Sequence, residues 1–283
     1  MADRRAAIRW ARPLLVVAAG AALAGCGGKK ASSLPTVLQA VRTTLGGSSA
    51  STLTLAGASA FGAPHRTLSG QGEFALDDGI GYQSVDVAGG RVTIVYAPQE
   101  VYLQPTFATR LPATKEWVAA TVTSSRNPRS DVARFVEQAE SLSPQLLLDE
   151  VRWGGVDAIA HGRETVGKAR LVRYDVDVDL ARAARTAARR GSPAERVALE
   201  QELAGSSSHR TTVTVLIDPS SARVARIRAA APGAGVGAAT VDLTALKFRF
   251  ASEPPADGQV AQLSSLSSAY AATVRSPWTG GSG

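Results

Sequence analysis

Short runs in which apolar and polar residues alternate are the feature that most limits what this chain can fold into. Between residues 52 and 104 five such runs follow one another, separated by turns rich in glycine and aspartate, such as 77–79 and 88–90. Alternation with a period of two places apolar side chains on one face of a strand. This region therefore predicts an antiparallel meander. The predicted strands are Thr52–Ala60, Thr67–Leu76, Ile80–Val87, Arg91–Ala97 and Val101–Gln104.

The same alternation returns in the second half of the chain. Tyr174 and Val176 fall on one face of a predicted strand, and Asp175 and Asp177 fall on the other. One face of the sheet is therefore expected to meet water and the other an apolar layer. The strands predicted here are Val156–Val166, Arg170–Val178, Arg210–Asp218, Ala222–Ala230 and Thr240–Phe250, with a turn at 218–221.

Apolar residues at helical spacing predict helices between the two groups of strands, within the second group and at both ends of the mature chain. Pro144 is expected to end one helix, and the break at 191–193 is expected to divide a helical hairpin. Ser192 and Glu195 have the spacing of a capping box. The predicted helices are Leu34–Leu45, a segment from Ser130 or Asp131 to Leu142, Gln145–Trp153, Leu180–Arg190, Pro193–Leu203 and Gln259–Val274.

The amino terminus has the composition of a secretory signal. Four arginines precede an apolar run, Pro13–Leu23, and small residues follow it. Eleven residues are too few to cross a hydrocarbon core of about 30 Å, which needs roughly 20 residues in a helix. A short uncleaved transmembrane helix is the alternative. The arginines are Arg4, Arg5, Arg9 and Arg12.

The string Leu23-Ala24-Gly25-Cys26 resembles the lipobox of bacterial lipoproteins. The resemblance implies that a diacylglyceryl group is attached to the Cys26 thiol and that residues 1–25 are removed. Residues 26–33 would then form a flexible tether, and the protein would be anchored to the outer face of the cytoplasmic membrane. No cofactor is expected besides this acyl modification, and export by the general or the twin-arginine route remains open.

Composition excludes several classes of site. Cys26 is the only cysteine, so neither an intrachain disulfide nor a cysteine metal site is possible. Residues 1–25 hold four arginines and one aspartate, so their removal lowers the net charge from +7 to +4. This mild charge requires no nucleic-acid partner, and no nucleic-acid-binding motif is present.

The sequence contains no convincing catalytic or metal motif. His65, His161 and His209 lie far apart and are expected to face solvent, and no Gly-x-Ser-x-Gly elbow occurs. The alternating aspartates 175, 177 and 179 are typical of a solvated strand face rather than a calcium loop, which needs a glycine where Leu180 stands. Residues 233–238 echo a dinucleotide fingerprint, but no helix follows them, so a flexible loop is predicted.

Several segments in a fixed order resemble the LppX/LprG-type lipoproteins of actinobacteria, whose fold is similar to that of the lipoprotein carriers LolA and LolB. They cover the mature chain and are Thr52–Leu55, Val101–Leu103, Trp117–Val118, Asn127–Pro128, Tyr174–Leu180, Val215–Asp218 and Glu253–Asp257. The resemblance implies an α+β fold in residues 34–275. It consists of a strongly curved, incompletely closed antiparallel sheet of about 10–11 strands, with helices across its concave face. Residues 276–283 are expected to be a disordered tail.

This resemblance also implies a function, namely non-enzymatic binding of the acyl chains of a lipid or glycolipid in an apolar groove. A monomer is expected. An ordinary filled core is the alternative reading of the same strands, and the rival functions are a sensor lipoprotein with a protein partner and an envelope hydrolase. The residues expected to contact lipid are Val92, Ile94, Tyr96, Phe135, Val136, Leu147, Tyr174, Val176, Val213 and Val215.

Two further groups invite a membrane interpretation. Trp117, Trp153 and Trp278 are expected to rim the groove or to enter the membrane interface, and packing in the core is the alternative for Trp117 and Trp153. The helix 181–190 is predicted to have a small apolar side and an arginine side, which either contacts anionic lipid head groups or is simply solvated. These arginines are Arg182, Arg185, Arg189 and Arg190.

Overall fold

A twelve-stranded sheet organises the part of the chain that the computed structural model describes. That part comprises residues 32–58, 66–87, 90–105, 115–121, 131–231, 236–247, 250 and 253–265. The strands are β1 (Ser48–Ala58), β2 (Arg66–Ala75), β3 (Ile80–Val87), β4 (Gly90–Tyr96), β5 (Glu100–Pro105), β6 (Trp117–Thr121), β7 (Gly155–Val166), β8 (Ala169–Asp179), β9 (Arg210–Asp218), β10 (Arg223–Ala231), β11 (Val236–Ala245) and β12 (Val260–Gln262).

Five helices accompany these strands within the described residues, and local signals in the sequence set their ends. Proline occupies the first turn of three of them, where its missing N–H costs nothing. Asp179 caps one helix by accepting from the Arg182 N–H at 2.8 Å, and Ser192 and Glu195 form the predicted capping box. The helices are α1 (Leu34–Leu45), α2 (Asp131–Glu140), α3 (Pro144–Gly154), α4 (Leu180–Arg190) and α5 (Pro193–Gly205).

The strand order of the sheet is β12-β6-β5-β4-β3-β2-β1-β11-β10-β9-β8-β7. All neighbours are antiparallel except β12 and β6, and β12 does not pair with β7, so the sheet is not closed into a barrel. α2 contacts β6 near one end of this order, whereas α1 and α3 contact β7 at the other end. The helices form a continuous chain of contacts, in which α2 contacts α5, α5 contacts α4, α4 contacts α3 and α3 contacts α1. Because this chain joins the two ends of the strand order, the sheet curves around the helices.

The apolar core lies between the helices and the inner face of the sheet. Alternation along β4 turns Val92, Ile94 and Tyr96 inward, where they join Val37 of α1 and Val136 of α2 in one continuous cluster. A smaller cluster joins α3, α4 and α5 through Trp153 and alanines of α4. The described residues from Ser32 onward form one compact unit.

The outer face of the sheet differs between its two halves. Around β4 to β6 it carries a second apolar cluster with Val95, Tyr102 and Ala119 at its centre. In the half formed by β7 to β11, ion pairs replace apolar contacts, and Arg226 with Asp242 and Arg228 with Glu164 are examples. The half formed by β7 to β11 therefore has the water-facing outer surface that alternation predicts.

The predicted architecture, an incompletely closed antiparallel sheet covered by helices on one face, is confirmed. Twelve strands are present in the described residues instead of the 10–11 predicted, because β6 and β12 are additional and no run predicted as a strand was lost. The predicted helix at 259–274 is wrong over its described part. Two 3₁₀ turns, Asp257–Gln259 and Leu263–Ser265, flank β12 there, because Val260–Gln262 pairs with β6.

Candidate functional site

The ten residues predicted to contact lipid all lie at the interface between the helices and the inner face of the sheet, which we name the helix–sheet interior. Nine are at most 3% exposed, and Tyr174 is partly buried and packs against the others. They come from strands in both halves of the sheet and from α2 and α3. They are Val92, Ile94, Tyr96, Phe135, Val136, Leu147, Tyr174, Val176, Val213 and Val215.

The helix–sheet interior is packed rather than empty at these positions. Val92, Ile94 and Val136 have no exposed surface, and neither do Val213 and Val215. An acyl chain could therefore enter among them only if side chains or helices moved apart. Each CH₂ group that leaves water contributes about 0.8 kcal/mol, so a long acyl chain brings several kcal/mol toward that movement.

Tyr96 brings a polar group into this apolar surface. Its hydroxyl donates to the carbonyl oxygen of Ala139 in α2 at 3.0 Å and lies 3.2 Å from Oε1 of Gln83. Its ring contacts Phe74, with 5.5 Å between the ring centroids. Burial and the nearby Glu140 raise the pKa of Tyr96 well above its usual value, so the hydroxyl remains a neutral donor. This bond ties α2 to the sheet.

Five carboxyl groups lie between the helices, and we name them the buried carboxyl cluster. Burial, with help from Glu195, raises the pKa of Glu140 to about 8 and that of Asp149 to about 9. Burial also raises the pKa of Glu150, and the adjacent Glu202 adds to that shift. Burial has this effect because charge is costly away from water, so it favours the neutral form of these three groups. The cluster consists of the buried Glu140, Asp149, Glu150 and Glu195 together with the half-buried Glu202, whose pKa burial also raises.

Sequence reasoning did not identify the buried carboxyl cluster. A signal was present, because Asp149 and Glu150 directly follow three leucines in a short helix, and Glu140 is four residues after Val136. Helical spacing therefore placed at least some of these acids beside apolar neighbours. Their convergence depends on α2, α3 and α5 packing together, which a pattern within one helix does not reveal.

Six arginines line a groove with a volume of about 810 Å³, together with Trp153 and Thr186. We name it the arginine groove. α4 provides four of the arginines, which are those that helical spacing had placed on one side, and α1 and α3 provide one each. The six are exposed at the surface. They are Arg42, Arg152, Arg182, Arg185, Arg189 and Arg190.

Contacts hold only part of the arginine groove in place. Arg152 lies over the ring of Trp153 at 4.8 Å and pairs with the buried Asp149 at 2.6 Å. Arg42 donates to Gln39 at 3.0 Å, and Arg182 donates to the carbonyl oxygen of Gly155 at 3.4 Å. Within the described residues, the guanidinium groups of the other three arginines have neither an ion pair nor a hydrogen bond. These three are Arg185, Arg189 and Arg190.

The residues considered for catalysis or calcium binding are occupied by structural contacts. His161 lies on the exposed edge strand and contacts Asp175 at 3.0 Å, and Arg210 pairs with Asp177 at 2.5 Å. His209 is exposed. Among the described residues, no group of three or more histidine, aspartate or glutamate side chains is arranged to hold a metal ion.

Several predicted features lie outside the described residues. They include the lipobox with Leu23, Ala24, Gly25 and Cys26, together with His65, Trp278 and residues 233–235 of the predicted loop 233–238. Residues 236–238 belong to β11, so the loop prediction is wrong for them. Of the other tryptophans, Trp153 is buried beside the arginine groove, and Trp117 is half-buried on the outer face of the sheet. No helix among the described residues is long and apolar enough to span a membrane.

The sequence matches no protein-family profile, and no curated protein matches it either. By structure, the chain is similar to the lipoprotein LppX of Mycobacterium tuberculosis, with 11% identity and a TM-score of 0.42 over 74% of this chain and 94% of LppX. It is similar to LprF of Mycobacterium bovis, with 11% identity and a TM-score of 0.39 over 75% and 91% of the two chains. A LolA-superfamily protein of Nitrosomonas europaea gives 6% identity and a TM-score of 0.32 over 78% and 95%. At these values the likeness concerns the fold alone.

Proposed function

We propose that the protein is an exported lipoprotein, anchored through Cys26, that binds acyl chains of a lipid or glycolipid between its sheet and its helices without catalysing a reaction. The observation that carries the proposal is the helix–sheet interior. It is one continuous apolar surface on an open sheet, and it contains all ten residues expected to contact lipid.

The way the helices are held supports an interior that can open. The contacts of α2 with the sheet are limited, and most of its neighbours are in α5. Burial raises the pKa of three carboxyl groups that lie among these helices, Glu140, Glu150 and Glu202. Because neutralising a carboxyl at neutral pH costs free energy, the helices are bound to the sheet less tightly than their apolar contacts alone would provide.

A sensor lipoprotein that binds a protein partner has less support. Such a partner would be expected to cover a large exposed apolar patch. Among the described residues, Ile159 is the large apolar side chain with substantial exposure, at 55%, and the apolar cluster around Tyr102 is itself buried. The described surface therefore offers no such patch.

Native mass spectrometry of the mature chain, residues 26–283 with Cys26→Ser, tests lipid binding directly. We expect the protein, purified from the cells that produce it, to carry additional mass that dissociates as one or more acyl-chain lipids. The delipidated protein should take up a fluorescent fatty-acyl probe. A protein that carries no lipid and takes up no probe would contradict the proposal.

Fractionation of cells that produce the full chain tests the anchor separately. Wild-type protein is expected in the membrane fraction, cleaved before Cys26 and carrying an acyl mass on that residue. Cys26→Ala should abolish both acylation and retention in the membrane, while the circular dichroism of the domain stays unchanged. If Cys26→Ala remained in the membrane, an uncleaved amino-terminal helix would be the anchor instead.

A further inference from the structure

We propose that the arginine groove binds the phosphate groups of anionic membrane lipids and so orients the protein on the bilayer. The inference rests on the proposed membrane anchoring, and it concerns a surface separate from the helix–sheet interior. Three helices place their cations around one concavity of about 810 Å³. Guanidinium groups present several donors in a plane and bind phosphate oxygens in pairs, so this composition selects phosphate over neutral ligands.

The local roles of these arginines do not account for the groove. Arg42, Arg152, Arg189 and Arg190 lie in the last turns of their helices, where a cation is favoured by about 0.3–1 kcal/mol. That effect acts on each helix separately and does not require the cations to face one another. Like charges brought together repel, so their convergence costs free energy unless an anion joins them.

The unpaired arginines point to a ligand with more than one negative charge. Trp153 and Asp149 hold Arg152, and the carbonyl oxygen of Gly155 contacts Arg182. Arg185, Arg189 and Arg190 extend from the same helix as Arg182 without ionic partners among the described residues. Side chains of this kind are free to close on an anion.

The position of the groove next to the tether favours a membrane source for the phosphate. The Ser33 N–H donates to the carbonyl oxygen of Ala158 at 2.9 Å, and Leu34 packs directly over Gly155. Gly155 is also the residue whose carbonyl oxygen Arg182 contacts. The tether thus joins the folded domain beside the groove.

The length of the tether keeps the groove close to the lipid surface. Leu34 is eight residue steps after Cys26. A fully extended chain covers at most about 3.6 Å per step, or roughly 30 Å over this segment. Anionic lipids give the membrane surface a negative potential that attracts each nearby cation by about 1 kcal/mol. Six cations in one concavity are therefore well placed to contact head groups whenever Cys26 is anchored.

Vesicle binding with a charge-matched control tests the proposal. The protein is the mature chain, residues 26–283 with Cys26→Ser, so that no acyl chain of its own holds it to the bilayer. The groove variant is Arg185→Gln/Arg189→Gln/Arg190→Gln. The control, Arg163→Gln/Lys168→Gln/Arg170→Gln, removes the same charge from exposed residues of the β7–β8 hairpin.

We expect the wild type to co-sediment with vesicles that contain phosphatidylglycerol but not with pure phosphatidylcholine. Loss of three cations at about 1 kcal/mol each predicts roughly 100-fold weaker binding by the groove variant. The control should bind within a few-fold of the wild type. Equal losses in both variants would show that only net charge matters, and wild-type binding no stronger to phosphatidylglycerol would also overturn the proposal.

Titration with glycerol 1-phosphate separates a lipid source from a soluble one. Weak binding of this soluble head group, together with strong vesicle binding, supports the membrane source. Strong binding of glycerol 1-phosphate without vesicle binding would assign the groove to a soluble phosphate and overturn the proposal. Uptake of a fatty-acyl probe, measured in parallel, is expected to be unchanged in the groove variant, so failure at the groove is distinguishable from failure of lipid binding in the interior.

Discussion

The arginine groove and the buried carboxyl cluster share helix α3 but handle charge in opposite ways. Arg152 is an exposed cation that stacks on Trp153, whereas Glu150, two residues earlier, is 3% exposed and has its pKa raised by burial. Water and an anionic partner stabilise the charged guanidinium of Arg152, whereas burial favours the neutral form of the Glu150 carboxyl. The same helix therefore offers a permanent charge on one side and a pH-dependent one on the other.

The two regions meet at a second opening with a volume of about 340 Å³. Arg152 and Arg190 of the arginine groove border it, as do Asp149 and Glu195 of the buried carboxyl cluster. Asp149 pairs with Arg152, yet burial and Glu195 raise its pKa to about 9. Only there does a member of one region directly contact the other. The difference teaches that burial, rather than residue type, determines which charges are available for binding.

The buried carboxyl cluster predicts the largest effect, a fall in the free energy of unfolding as the pH rises. Aspartate and glutamate in the unfolded chain ionise near pH 4, whereas the pKa of Glu140 in the folded protein is about 8. Between these values the unfolded chain binds fewer protons, so stability decreases with pH. From about pH 5 to about pH 7 we expect a loss of roughly 2–3 kcal/mol per protonated carboxyl.

Urea unfolding at several pH values in this window measures that loss. The decline should end once the pH exceeds the folded-state pKa values, because both states then bind the same number of protons. A free energy of unfolding that stays constant or rises over this window would contradict neutral carboxyls in the interior. The buried carboxyl cluster would then be charged like the arginine groove, and the contrast between the two regions would not hold.

Glu140→Gln sharpens the comparison, because glutamine has the size of a neutral glutamic acid and does not ionise. At about pH 8 we expect the variant to be more stable than the wild type by about 3 kcal/mol, and near pH 5 we expect the difference to fall below about 1 kcal/mol. Equilibrium unfolding at both pH values checks this. Glu200→Gln, on the exposed side of α5, is the control and should change stability by less than about 0.5 kcal/mol at either pH. Equal effects of both variants would show that burial of Glu140 is unimportant.

The arginine groove predicts the smallest effect on folding. The three exposed arginines changed in the groove variant have no ionic partner among the described residues. Relief of their mutual repulsion offsets the loss of Arg189 and Arg190 at the end of α4, so Arg185→Gln/Arg189→Gln/Arg190→Gln should alter the free energy of unfolding by less than about 1 kcal/mol. Chemical unfolding in a buffer free of multivalent anions measures it. A loss of several kcal/mol would mean that the groove holds the helices together, and its arginines would then belong with the structural contacts.

The sequence predicted most of the sheet because its strands have different environments on their two faces. Val92, Ile94 and Tyr96 alternate with polar or outward residues, and this pattern needs no knowledge of distant segments. Strand β12 depends instead on pairing with β6, more than 130 residues earlier in the chain. No local pattern in Val260–Gln262 reveals that partner, so a helix was predicted there.

For the functional surfaces too, features within one segment could be predicted from the sequence, and features that depend on packing between segments could not. The four arginines of α4 were recognised from helical spacing within one segment. Arg42 and Arg152 were missed because the packing of α1 and α3 brings them to the same groove. Whether apolar strands enclose a filled core or an opening groove could not be read from alternation, since both need the same residues.

The central claim is that acyl chains lie between the sheet and the helices, and two neighbouring alanines of β6 test it. Ala120 faces the helix–sheet interior and Ala119 faces the outer apolar cluster, and both are at most 1% exposed. Replacing either with phenylalanine overfills a packed region at a similar cost of about 1–3 kcal/mol. Only Ala120→Phe reduces the space available to an acyl chain.

The measurement is the dissociation constant of a fluorescent fatty-acyl probe for the delipidated mature chain and for the two variants, each first shown to be folded by circular dichroism. The account predicts that Ala120→Phe weakens probe binding about 10-fold or more, a difference of about 1.4 kcal/mol, while Ala119→Phe stays within a few-fold of the wild type. Unchanged binding by Ala120→Phe together with weakened binding by Ala119→Phe would place the acyl chain on the outer face and contradict the account.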